Sequence, residues 1–147
     1  MSEEWKHASW VSTLGKWAWI IAIINGIIDI IWGIYGIIVV GTITAGIGIG
    51  IYGIGSFIWL IIGGIITILI SFLIIKLKFS SKCAIKDWDN LYNWVLEIGN
   101  IRLPWMLLWG IILEIFGYGW AGIPVIVCSI FLLFAGPITY DWKAKEY

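Results

Sequence analysis

Two carboxylates stand inside long apolar runs: Asp29 within residues 17–40 and Glu114 within residues 102–118. Charge in hydrocarbon is costly, so such a side chain is expected to face a polar partner, water or another helix rather than lipid. Helical spacing says where each one points. Gly26, Asp29, Gly33 and Gly36 recur on one face, and Gly110, Glu114, Gly117 and Ala121 on another. Each acid therefore shares a stripe with small residues, where a second helix can approach closely. Asn25 lies one turn before Asp29, close enough for a hydrogen bond. Two chemistries fit. One is a proton or cation site between helices. The other is an uncharged acid hydrogen-bonding across a helix contact. Apart from Arg102 at the very start of the second run, no Lys or Arg stands in the apolar runs to pair with either acid, and a low dielectric disfavours the charged form. The hydrogen-bonding role is the expected one.

Little else carries chemistry. His7, beside Lys6, cannot build a metal or haem site alone, so no metal and no cofactor is expected. There is no phosphate loop and no nucleophile with a base, and an enzyme is not expected. Cys83 and Cys128 are too few for a disulfide framework. Cys83 reads as part of a polar loop and Cys128 as part of an apolar run, both unpaired. Ser56, Thr67 and Ser71 are expected to bond back to helix carbonyls.

The elements that position these residues follow from composition. Of 147 residues, 61% are hydrophobic and 12% charged, with a formal net charge of zero. A soluble domain carries about twice that share of charge. Too little polar material is present to cover a small water-soluble fold. A soluble enzyme, a disordered chain and a basic nucleic-acid binder are excluded. The first 16 residues hold Glu3, Glu4, Trp5 and Trp10 and do not resemble a cleavable signal, so the start is expected to be retained.

A spanning helix needs roughly 20 apolar residues. Four candidates are read: 17–40, about 45–75, about 102–118, and 122–140. Gly41-Thr42-Ile43-Thr44 separates the first two, and the stretch Gly117 to Gly122 the last two. Two antiparallel hairpins are expected. Lys6 and Lys16 precede the first; Lys76, Lys78, Lys82, Lys86 and Arg102 lie between them; Lys143 and Lys145 follow the second. Neither tip has a basic residue, which predicts both termini and the central loop on the cytoplasmic side. Trp17, Trp19, Trp105, Trp120 and Trp142 are expected at the membrane interfaces. The four central lysines could also touch anionic lipid.

An internal repeat is visible. Trp10 to Gly15 matches Trp94 to Gly99, and at the same offset of 84 Gly26 falls on Gly110 and Gly33 on Gly117. Leu60 to Thr67 resembles Leu132 to Thr139 at an offset of 72. The expected organisation is two tandem units, 1–80 and 81–147, each an interfacial segment followed by a helical hairpin. The second interfacial segment reads as an amphipathic helix, with Trp88, Leu91, Tyr92, Val95 and Ile98 on its apolar face and Ser81 or Asp87 as its cap.

The run Ala45 to Gly55 alternates glycine with isoleucine. As one helix it would place Gly46, Gly50 and Gly53 on a smooth face and Gly48 and Gly55 on another. The run resembles the glycine-rich helix of rotor-ring proteolipids, whose duplicated members also have four helices. It departs from them in two ways. Their glycines precede the carboxylate helix in each hairpin, and their polar hairpin loop is missing. The chain is not assigned to that family. The expected class is an all-α integral membrane protein of four transmembrane helices, non-enzymatic, acting as an accessory subunit or self-assembling scaffold. Its expected partners are membrane lipid and either its own copies or a larger membrane complex, with no nucleic acid. A small channel or transporter using Asp29 and Glu114 is the alternative, and a hydrophobic viral coat or vesicle protein a further one.

Overall fold

The first helix, α1 (Ala8–Ile47), is organised by side-chain size. Val11, Gly15, Ala18, Ala22, Asn25, Gly26, Asp29, Gly33 and Gly36 form its buried stripe, and the large residues between them turn outward. The partner is α2 (Ile54–Ile70), which continues without a break as a π-helical stretch, Ser71–Ser80, and a short helix α3 (Ser81–Ala84). At the junction the Ser71 hydroxyl donates to the Thr67 carbonyl at 2.6 Å, and the Ser71 N–H reaches both Thr67 and Ile68. The structure is a computed structural model and describes residues 5–47 and 53–144.

A short helix α4 (Trp88–Asn93) follows, capped by Asp87, whose carboxylate accepts from the Asn90 N–H at 3.3 Å. Strands β1 (Val95–Ile98) and β2 (Ile101–Pro104) then pair antiparallel, with Val95 opposite Pro104 and Ile98 opposite Ile101. Gly99, at φ 58°, supplies the left-handed residue of the two-residue connection. The C-terminal segment docks on β2: the Arg102 N–H donates to the Trp142 carbonyl, and the Tyr140 hydroxyl to the Arg102 carbonyl at 3.0 Å. Pro104 launches α5 (Trp105–Phe116), and Pro124 stands in the first turn of α6 (Ile123–Ala135). The latter ends at Gly136, just before Pro137, where a helix cannot continue.

The apolar core gathers where the first half of α1, the second half of the α2–α3 rod, and α5 and α6 meet, around Val11, Ile75, Phe79, Met106, Leu113 and Leu132. Every described Lys and Arg lies in the segments at this end of the molecule, away from the Ile47 end of α1 and the Ile54 end of α2.

Several expectations are corrected. Gly41 to Thr44 is not a connector but part of α1. The Thr42 and Thr44 hydroxyls bond back to the Val39 and Val40 carbonyls at 2.8 Å, and one glycine costs a helix only about 1 kcal/mol. The candidate 45–75 is consequently not one helix. Gly46 belongs to α1, while Gly53 has a φ of 98° and precedes α2, so these two do not share a helix face. Gly48 and Gly50 lie outside the described residues. The amphipathic helix over 88–98 stops at Asn93, and Val95 and Ile98 are strand residues. β-Branched residues at 95, 98 and 101 favour the pleated form there. Trp10 to Gly15 is helical and Trp94 to Gly99 is not, so the matched segments differ in conformation. Cys83 is buried rather than in a polar loop, packed against Gly15 and near Cys128; both thiols are free.

The chain is mostly helical, and two of its described helical rods, Ala8–Gly46 and Ile54–Ala84, are long and apolar enough to cross a membrane. The helices α5 and α6 have 12 and 13 residues. That is about 18 and 20 Å at 1.5 Å per residue, against a hydrocarbon layer of about 30 Å.

Candidate functional site

The six residues 117–122 that join α5 to α6 form a tight tip, and this tip is where both acids go. Gly117 leaves the helix in an extended conformation, and Gly119 takes φ 116°. Only glycine adopts that angle without strain. The tip seats on α2, where a Cβ built on Gly63 would strike the Phe116 carbonyl oxygen and one on Gly117 would lie 3.2 Å from Thr67 Oγ1.

Reversing a chain frees backbone N–H groups that need acceptors. Asp29 supplies one. Its Oδ2 accepts from the Tyr118 N–H at 3.1 Å and from Asn25 Nδ2 at 2.6 Å. Glu114 supplies the other: its Oε1 accepts from the Gly122 N–H at 2.9 Å. Asp29 reaches across from α1, Glu114 reaches forward from α5, and the two acids hold the two flanks of the same turn. Asn25 is fully buried behind Asp29. Its Oδ1 and Thr67 Oγ1 are buried without a hydrogen-bond partner among the described residues. The expectation that Thr67 bonds back to its own helix is thus not met, although Ser56 and Ser71 do so, to Gly53 and Thr67.

The glycines fall into two groups. A Cβ built on Gly26 would lie 2.7 Å from the Gly64 carbonyl oxygen, and one on Gly33 would lie 2.7 Å from that of Phe57. Gly36 faces the Phe57 ring, and a Cβ on Gly110 would stand 2.7 Å from the Ile126 side chain. These are sites of close helix approach. Gly46 and Gly53 have nothing within 4 Å of such an atom.

Four of the five tryptophans expected at the membrane interfaces sit near the polar end. Lys16 Nζ lies 5.5 Å from the Trp17 ring, and Lys76 Nζ 4.6 Å from that of Trp19. Trp105 stacks on Trp109, and Trp142 meets Phe134 and Tyr140. Trp120 is elsewhere, at the hairpin tip beside Asp29 and Trp32, where all three line a cavity of about 370 Å³.

Helical spacing pairs Asp29 with Asn25 but does not reach Tyr118, 89 residues away. Nor does it mark Gly63, Gly64 and Gly122 as packing residues, which their close contacts show them to be. The adjacent Gly63-Gly64 pair, opposite Gly26, was the one available signal. No family model, curated protein or solved structure matches the chain.

Proposed function

We propose that the chain is a non-enzymatic integral membrane protein that works by packing, as an accessory subunit or self-assembling scaffold of a membrane complex. The observation that carries this reading is the use made of the two acids. Both are spent on backbone N–H groups of one hairpin tip, an arrangement that fixes a fold rather than moves an ion. The outward residues agree with lipid or helix neighbours: Ile31, Trp32, Ile34, Tyr35 and Ile38 are exposed along α1, and Leu69, Leu73 and Leu77 along the α2 rod. Purification in mild detergent with mass determination tests it. A defined oligomer or a co-purifying complex is expected, and a monodisperse monomer without a partner would remove the proposal. A proton flux in reconstituted liposomes that Asp29→Asn abolishes would favour a transporter instead.

In this reading the α1–α2 hairpin crosses the bilayer, with both termini and the 76–105 region on the cytoplasmic side. The α5–α6 hairpin enters from that side and turns back within the hydrocarbon. Asp29 stands 13 residues beyond Lys16, about 20 Å along the helix. Backbone irregularity at such a depth is tolerated where protein satisfies its polar groups, as the two carboxylates do here. Single cysteines at Thr42, Tyr118 and Lys143 separate this from four spans, because the native thiols are buried. A membrane-impermeant maleimide should label Lys143→Cys from one side, Thr42→Cys from the other, and Tyr118→Cys from neither. Labelling of Tyr118→Cys from the Thr42 side would establish four crossings.

A further inference from the structure

The cavity beside Asp29 is not explained by closing the hairpin tip. It is lined by Asp29, by the aromatic residues Trp32, Phe57, Tyr118 and Trp120, and by Ile28 and Leu60. Both hydrogen bonds that Asp29 accepts go to Oδ2, and among the described residues none reaches Oδ1. Asn25 Oδ1 and Thr67 Oγ1 are sealed in the protein, whereas Asp29 Oδ1 is not among these fully buried atoms and Asp29 borders the cavity. Trp32 and Trp120 remain 59% and 39% exposed and form its rim. At about 370 Å³ the space is at the small end of ligand sites.

We infer that this cavity binds a small lipophilic organic cation, an aryl- or alkyl-substituted ammonium, with the charge against Asp29 Oδ1 and the apolar groups against Trp32, Phe57 and Trp120. The chemistry is complementary in three respects. No Lys or Arg stands in α1 beyond Lys16 or in α2 before Lys76, so the protein supplies no counter-ion at this depth. The faces of tryptophan attract cations, and more strongly once water is excluded. The two N–H donors fix Oδ2, so the carboxylate is held in place with its other oxygen turned to the ligand. An inorganic cation would forfeit the aromatic walls and keep too few oxygen ligands. A neutral lipid tail would forfeit the acid.

Binding of benzyltrimethylammonium to the full-length protein in zwitterionic-lipid nanodiscs, measured by equilibrium dialysis, tests the assignment. Its uncharged isostere, neopentylbenzene, is the control for plain hydrophobic filling. The cation is expected to bind saturably and at least tenfold more tightly than the isostere. Asp29→Asn should erase that preference, with the variant eluting as the wild type does. Trp32→Leu and Trp120→Leu change exposed rim residues outside the core and should each weaken the cation severalfold more than the isostere. These two decide the matter if Asp29→Asn does not fold. Absence of saturable cation binding, equal binding of the two compounds, or rim variants that weaken both equally would overturn the site.

Discussion

Replacing Gly64 by leucine is expected to force α1 and α2 apart and to leave little folded protein in detergent. The two helices meet backbone to backbone. A Cβ on Gly64 would lie 2.5 Å from the Gly26 carbonyl oxygen, 2.8 Å from Ile30 Cγ1 and 3.3 Å from the Ile30 nitrogen. A flexible side chain could yield to such an atom, but a helix backbone cannot. Overpacking a core costs about 1–3 kcal/mol where side chains can shift. Here the shift must move a helix, so a loss of about 3 kcal/mol or more is expected. Gly26→Leu should behave alike, since the same contact is met from the other side at 2.7 Å. Gly46→Leu is the control, with no atom within 4 Å of the position, and should leave folding unchanged. Far-UV circular dichroism on heating, with size-exclusion profiles, compares the three. Equal melting of Gly64→Leu and Gly46→Leu would show that the helices are not held together at this point.

The parts of this packing that follow from local periodicity were legible in the sequence. Gly26, Gly33 and Gly36 recur at helical spacing with Asp29, and one face of one helix is enough to see them. The Asn25–Asp29 bond, the Asp87 cap and the part played by Pro104 are likewise contacts within a few residues. What could not be read depends on where helices stop and on what lies across the fold. Hydropathy counts apolar residues and does not register that strand pairing claims Ile101 to Pro104 or that Gly136-Pro137 ends α6. The third and fourth candidates therefore run several residues longer than the helices they contain. Gly41 to Thr44 carries the composition of a turn, but two threonine hydroxyls can serve helix carbonyls as readily as loop ones. Trp88 to Ile98 satisfies a helical repeat, and Gly99 with its opposing strand breaks it. The destination of the two carboxylates is a tertiary fact. Nothing near Asp29 in the chain names Tyr118.

That tertiary contact yields the second large effect. Asp29→Leu is expected to destabilise the protein by about 3 kcal/mol, and Asp29→Asn by less than about 1 kcal/mol, in reversible unfolding from mixed micelles. Leucine removes the acceptor of the Tyr118 N–H and of Asn25 Nδ2 together. An N–H left unpaired in an apolar setting costs roughly 1–3 kcal/mol, and in hydrocarbon no water replaces the partner. Asparagine keeps a carbonyl oxygen where Oδ2 stands. The Tyr118 N–H and Asn25 Nδ2 thus keep their acceptor, and the new amide group takes the place of Oδ1 beside the cavity. Glu114→Gln should be equally mild, because its amide oxygen can still accept from the Gly122 N–H. Should Asp29→Leu unfold at the same denaturant concentration as Asp29→Asn, the hairpin tip would not depend on the acid, and the account of why a carboxylate stands in this helix would fail.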